Sequence, residues 1–183
     1  MNIGKVFEED MKKSIPDHVL FYRLPDSAQS FSGGNLRFSL KNPFDYLFWD
    51  SKYHNLFAVE LKTVHGNSIS FERSKDDNAV IHLHQIEGLN KWDKYDGIIS
   101  GFIIFFRKQE RTIFLDIGSF NRITDILTKK SFNLNDLDKY AIPYMEILQE
   151  KKRTRYRYDM NNFFERINTK LLRGRNHEKK NKC

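Results

Sequence analysis

The sequence predicts an α/β domain with a mixed central sheet and flanking helices. Three observations carry that prediction. Apolar runs of strand length alternate with segments whose apolar residues recur at helical spacing, the pattern of a layered α/β domain. At two places, consecutive strand-like runs are separated by only a short polar turn, so hairpins replace a purely parallel arrangement. At 183 residues, the chain suits one domain and is long enough to bury a substantial core.

Ile3, Phe7, Met11 and Ile15 share one helical face, flanked by Lys5, Glu8, Glu9, Lys12 and Lys13. They predict a helix over 4–15, ended by Pro16, whose ring and missing N–H stop the ladder. Residues 19–22 read as a short strand. The polar, glycine-containing 25–34 reads as a surface linker that runs on through Arg37, Lys41 and Asn42-Pro43. Strands follow over 46–49 and 56–63, joined by the turn 50–55. Residues 64–77 are polar and irregular, with Ile69 and Phe71 as anchors. A helix over 79–92 carries Ile81, Gln85, Leu89 and Trp92 at successive helical steps. The apolar 98–106 reads as a central strand, paired with 112–117 across a charged turn. Helical segments at 120–127 and 134–140 precede a basic region at 151–157, and from Arg173 onward a polar, frayed tail is expected. The 16 phenylalanines, Phe102, Phe105 and Phe106 among them, are expected to fill the core or a dimer contact. No repeat and no glycine-rich phosphate loop is present.

Formal net charge is +7, which points to a polyanionic partner, nucleic acid first. The single cysteine, Cys183, excludes an intrachain disulfide and a structural zinc site, and fits a reducing compartment. The N-terminus lacks the pattern of a cleaved signal, and 98–106 is too short to span a bilayer. A cytoplasmic protein with no membrane association is expected.

The stretch "FAVELKT", 57–63, places a carboxylate and an ammonium in an otherwise apolar strand. Alternate residues of a strand share a face, so Glu60 and Lys62 emerge together, their backbones roughly 7 Å apart. An ordinary ion pair on a partly exposed edge strand is one explanation. The other starts from Asp45, fifteen residues before Glu60, just ahead of the preceding strand. If the hairpin forms, Asp45 approaches Glu60 across the sheet. Two carboxylates with a backbone carbonyl make a hard oxygen site suited to Mg²⁺. Such an ion polarises a phosphodiester and lowers the pKa of water, while Lys62 orients that water or offsets charge on phosphorus. Whether Lys62 acts as base or as electrostatic stabiliser stays open at this level.

The pattern Asp45…Glu60-Leu61-Lys62 resembles the PD-(D/E)XK nuclease superfamily, with the usual proline displaced by one residue to Pro43. More closely, the chain resembles the RecU family of Holliday junction resolvases of Gram-positive bacteria and their phages. "GKVFEED", "FDY", "FAVELKT" and "IHLHQI" carry the likeness in family order, with a looser match at "RYRYDM", 155–160. The resemblance implies a restriction-endonuclease-like core, one nuclease domain over 1–172 with a polar basic tail over 173–183, a homodimer, and Mg²⁺ dependence with Mn²⁺ as a substitute. It also implies paired nicking of branched double-stranded DNA, in concert with a recombinase or branch-migration partner. Carried over residue by residue, Asp45, Glu60 and the Leu61 carbonyl hold metal, and Lys62 is the catalytic lysine. Glu8 is the first-helix glutamate, with Glu9 competing for that role, and Gln85 is the helical glutamine. Residues 25–43 correspond to a reduced projection that contacts the junction.

DNA contacts are read more coarsely. Arg37 and Lys41 lie upstream of Asp45, His65 just beyond Lys62, and Arg73 and Lys75 further on. Arg153, Arg155 and Arg157, interleaved with Tyr156 and Tyr158, suit a phosphate backbone, and a solvated basic face is the alternative. His82 and His84, two residues apart, do not share a helix face, and single roles in phosphate contact or packing are expected. His54 belongs to the hairpin turn. Two competing functions remain: a nuclease acting on other branched or phage DNA, and a non-catalytic DNA-binding recombination module.

Overall fold

The computed structural model describes residues 2–25, 42–75 and 77–180, with side chains as far as residue 170. Arg37, Lys41 and residues 26–41 of the expected projection lie outside them. The two ends of that segment meet, since the Asn42 amide donates to the Pro25 carbonyl at 2.7 Å.

The first helix, α1 (Ile3–Lys12), is capped by Asn2, whose side chain accepts from Gly4 N and Lys5 N. It stops before the expected Ile15. Ser14 N turns instead to the Met11 carbonyl at 2.9 Å, and Ser14 Oγ takes the Asp10 carbonyl at 2.7 Å. The chain then enters β1 (Val19–Arg23), which runs antiparallel to β2 (Tyr46–Asp50); β2 forms the expected hairpin with β3 (Asn55–Val64). Asp50 closes the hairpin turn by accepting from Lys52 N and Tyr53 N, and His54 adopts a left-handed φ of 56°.

Strand β3 pairs in parallel with β5 (Ile98–Phe106), a geometry that requires a crossover. The crossover contains β4 (Ser68–Ser70) and α2 (Leu83–Trp92). Helix α2 starts four residues later than its periodicity predicts, because Ile81 is held in a bridge with Phe71. Strand β6 (Arg111–Asp116) returns antiparallel to β5, as expected, followed by α3 (Ile117–Ile126), β7 (Ser131–Asn133), which pairs with β4, and α4 (Leu134–Lys139). Strand β8 (Met145–Ile147) closes the far edge. Among the described residues the central sheet has six strands in the order β1-β2-β3-β5-β6-β8.

The basic region folds as a hairpin of β9 (Gln149–Lys152) and β10 (Arg155–Tyr158), and α5 (Met160–Lys180) follows. The sequence reading did not include this last helix. Its signal was present: Met160, Phe163, Phe164 and Ile167 recur at helical spacing and are all buried. Helix α5 continues past Arg173 to Lys180, where a frayed tail is expected from composition alone.

The sheet is buried on both faces. Phe102, Ile104 and Phe106 pack towards α2, α3 and α4, while Ile103 and Phe105 pack towards α1 and α5. This is a mixed α/β fold with a central sheet flanked by helices. Phe57 and Phe164 meet edge to face at 5.1 Å, and burying each such ring contributes roughly 1.5–3 kcal/mol. No helix among the described residues is long and apolar enough to cross a membrane.

Candidate functional site

The β2/β3 ladder ends at the pair Tyr46↔Val59, so one further step sets Asp45 opposite Glu60. Alternation puts both on the α2 side of the sheet, with Ala58 and Lys62. Glu60 is almost fully buried, at 1% exposure. One of its oxygens, Oε1, takes both neighbours: Lys62 Nζ at 2.9 Å and Gln85 Nε2 at 2.5 Å. The other, Oε2, is buried without a hydrogen-bond donor. The Asp45 carboxyl stands within hydrogen-bonding reach of Glu60.

Helix α2 builds this arrangement from two directions. Gln85 sits in its first turn, where Oε1 accepts from His82 N at 3.0 Å and so aims Nε2 at Glu60. One turn on, Gly88 lies so close to Pro43 that a Cβ there would come within 2.4 Å of the Pro43 Cβ. Trp92 then meets Phe44 edge to face at 5.0 Å. The segment Pro43-Phe44-Asp45 is thus held by the helix that supplies Gln85.

Burial dominates the electrostatics. It pushes the Glu60 carboxyl up to about 8, opposed by the Lys62 ammonium and reinforced by Asp45. Burial also raises Asp45, partly offset by its contact with Glu60 and by Lys62. Two adjacent carboxyls, both raised by burial, share one ammonium, and one Glu60 oxygen is left without a donor. The donor chemistry fits a small hard cation. Leu61 adds to it: Leu56 N and Val64 O both bond on the β5 side, so by alternation the Leu61 carbonyl turns towards β2, beyond the last ladder pair. Among the described residues no cluster of three or more His, Cys, Asp or Glu assembles. Two carboxylates with a carbonyl is the lean ligand set that Mg²⁺ uses when substrate phosphate and water complete its shell.

Glu8 and Glu9 turn to different parts of the fold. Glu8 accepts from Tyr46 OH at 2.6 Å, lies 3.7 Å from Arg23 Nε, and its charge helps raise Asp45. Glu9 points elsewhere and pairs with Arg155 at 2.9 Å. Arg23 and Tyr46, register partners on β1 and β2, were missed by sequence reasoning. Tyr46 adjoins Asp45 in "FDY", but its contact with a helix 38 residues earlier has no local signal. Tyr46→Phe is expected to lower stability by about 1 kcal/mol, read as a shift in the thermal midpoint, because it removes one partly buried hydrogen bond to a carboxylate. An unchanged midpoint would show that this bond exchanges evenly with water.

The alignment with one curated relative spans most of both chains. Over 171 residues this chain is 33% identical to the SPbeta prophage-derived uncharacterized protein YotM of Bacillus subtilis (strain 168), covering 87% of this chain and 84% of the relative. The chain belongs to the YotM family. That membership puts it in a bacterial or phage setting. No family model matches the chain.

Two of the expected DNA-contacting arginines have partners inside the fold. Arg73 donates to the Thr124 and Leu127 carbonyls at 2.7 and 2.5 Å, closing the C-terminal end of α3, and lies over the Phe71 ring. Arg155 bonds Asp10, at 4% exposure, through Nε at 2.6 Å, and Asp10 also accepts from Tyr156 N. His65, Lys75, Arg153 and Arg157 are exposed and make no ion pair among the described residues. Arg153 occupies the β9–β10 turn with a left-handed φ of 57°.

Proposed function

We propose that this chain is a metal-dependent, structure-selective DNA endonuclease with a PD-(D/E)XK core, cutting four-way junctions by paired nicks as in the RecU family. The observation that supports this reading is the convergence of Asp45 and Glu60 around an undonated carboxylate oxygen, with Lys62 and Gln85 both bonded to Glu60. Asp45, Glu60 and the Leu61 carbonyl would hold Mg²⁺, with Mn²⁺ as a substitute. When bound, a divalent cation supplies Lewis-acid polarisation of the phosphodiester and a water nucleophile at neutral pH.

The remaining chemistry belongs to the chain. Lys62, ion-paired to Glu60, supplies fixed positive charge for the phosphorane-like transition state; this pairing favours an electrostatic role over that of a base. Gln85 keeps Glu60 in one rotamer, so the carboxylate need not reorganise when charge develops. Glu8, anchored by Tyr46, adds an acceptor beside Asp45 that can orient water. A homodimer with two-fold symmetry would present one such site to each of two opposed strands, which gives the paired cuts. Such an enzyme would work in the bacterial cytoplasm, on DNA handled by a recombinase or branch-migration partner.

The test compares a labelled four-way junction with a matched linear duplex at equal salt, with Mg²⁺ or with EDTA. Paired, Mg²⁺-dependent nicks on the junction are expected. Equal cutting of both substrates would shift the reading to a nuclease for other phage or branched DNA. Binding without turnover in any divalent metal would favour a DNA-binding module.

A further inference from the structure

Beside the site, the start of α2 carries a second polar pair that the chemistry above does not use. Phe71 bridges to Ile81, and Glu72 N donates to the Ile81 carbonyl at 2.9 Å, so the Glu72 backbone is fixed next to the helix entrance. One Glu72 oxygen accepts from Leu83 N at 2.7 Å, and the other lies 2.7 Å from His82 Nδ1. The imidazole first and the backbone amides second hold this carboxyl below the usual range. It is ionised at neutral pH and can only accept, so His82 Nδ1 carries a proton and donates to it. The ring is thereby oriented, and in the imidazolium form Nε2 carries a second proton that it can donate to an oxyanion.

Capping the helix requires only the Leu83 bond; the bond to the imidazole fixes a side chain that remains 41% exposed. The His84 ring stacks on it, with centroids 5.6 Å apart and planes 16° apart. A single side chain, Gln85, joins this entrance to the catalytic carboxylate: it accepts from His82 N and donates to Glu60. An exposed, carboxylate-aimed imidazole at the positive end of a ten-residue helix is suited to an oxyanion, and Lys62 lies on the same side.

We propose that the His82 imidazolium donates from Nε2 to a non-bridging phosphate oxygen of the bound DNA strand, next to the phosphodiester that is cut, and that Glu72 is the positioning residue that accepts from Nδ1 and fixes the ring. The substrate class rests on the nuclease reading.

Junctions carrying a single neutral methylphosphonate, stepped through positions around the cut, test the contact by fluorescence anisotropy. Ca²⁺ replaces Mg²⁺ so that binding is measured without turnover. At one position the substitution is expected to weaken wild-type binding about tenfold, the value of one charge-assisted hydrogen bond. His82→Ala is expected to weaken binding of the unmodified junction by the same factor and to show no further loss at that position, which is the signature of a coupled pair. His82→Gln replaces it where the alanine variant fails to fold. Glu72→Gln should reduce the same coupling; a fall in thermal midpoint with the coupling intact would leave Glu72 as a helix brace only and overturn its positioning role. Equal methylphosphonate sensitivity of wild type and His82→Ala at every position, or no DNA binding, overturns the contact. Nicking in Mg²⁺ is scored separately: coupling without nicking removes the nuclease reading and keeps the contact, and nicking without coupling does the reverse.

Discussion

Glu60→Gln is expected to abolish Mg²⁺-dependent nicking, by roughly a thousandfold or more, while flattening the pH dependence of stability. The first effect follows from geometry. The amide keeps its contact with Lys62 or Gln85 but cannot ionise to offer a cation a carboxylate oxygen in place of Oε2, which lies buried without a donor. Equal nicking by the variant would sink the proposed chemistry.

The second effect follows from proton linkage. Glu60 titrates near 8 in the folded protein against 4.5 for an ordinary glutamate, so between those values the native state holds a proton that the unfolded chain has released. This contribution to stability is complete below about pH 4.5 and is lost as pH rises towards 8, at up to about 1.4 kcal/mol per unit. The metal-free wild type should therefore unfold more easily in urea at pH 8 than at pH 5, and Glu60→Gln should lose most of that slope. Asp45, which burial also raises, adds a contribution of the same sign. A cation that replaces the proton should stabilise the wild type more at pH 8 than at pH 5, by mass action, and leave Glu60→Gln unmoved. A wild-type profile already flat in EDTA would mean that Glu60 is not held protonated.

Gly88→Ala is the second large effect. In an exposed helix interior this change would gain about 1 kcal/mol from propensity. Here the added Cβ would meet the Pro43 Cβ, O and Cα at 2.4, 2.6 and 2.8 Å, and two of those atoms are backbone. Pro43 must retreat, and Asp45 follows two residues later. The net result is expected to be a loss of roughly 1–3 kcal/mol, together with at least about tenfold weaker Mn²⁺ binding by calorimetric titration. The sign is the discriminating observation. A stabilised variant with unchanged Mn²⁺ affinity would show that the Pro43 segment yields without moving the carboxylate.

Legibility of the fold tracked the range of the interaction. The β2/β3 hairpin, the β5 strand and the β5/β6 hairpin were readable because their apolar runs and turns lie within a few residues of each other. Alternation alone places Glu60 and Lys62 on one face, and the approach of Asp45 to Glu60 follows once the hairpin forms. Helix α2 began late because a tertiary bridge from Phe71 overrides the periodicity around Ile81. Arg155 reads as a phosphate contact because its partners, Asp10 and Glu9, stand 145 and 146 positions away. Arg23 and Tyr46 escaped notice because their meeting with Glu8 joins a strand pair to a helix and leaves no local pattern. Where Glu8 and Glu9 each point needed coordinates, because adjacent helix positions differ by only 100° of rotation.

The link between Asp10 and Arg155, 145 positions apart, also bears on synthesis. A ribosome delivers α1 first and the β9–β10 hairpin late, so the acid that ends up sealed beneath that hairpin stays in water through most of translation. The nascent chain can zip its central hairpins and seat Glu8 against Tyr46 as they emerge, yet Asp10 on the same helix waits for its arginine until the final quarter arrives. A product cut short before Arg155 would carry every proposed metal ligand and still lack the clasp on the helix that presents Glu8.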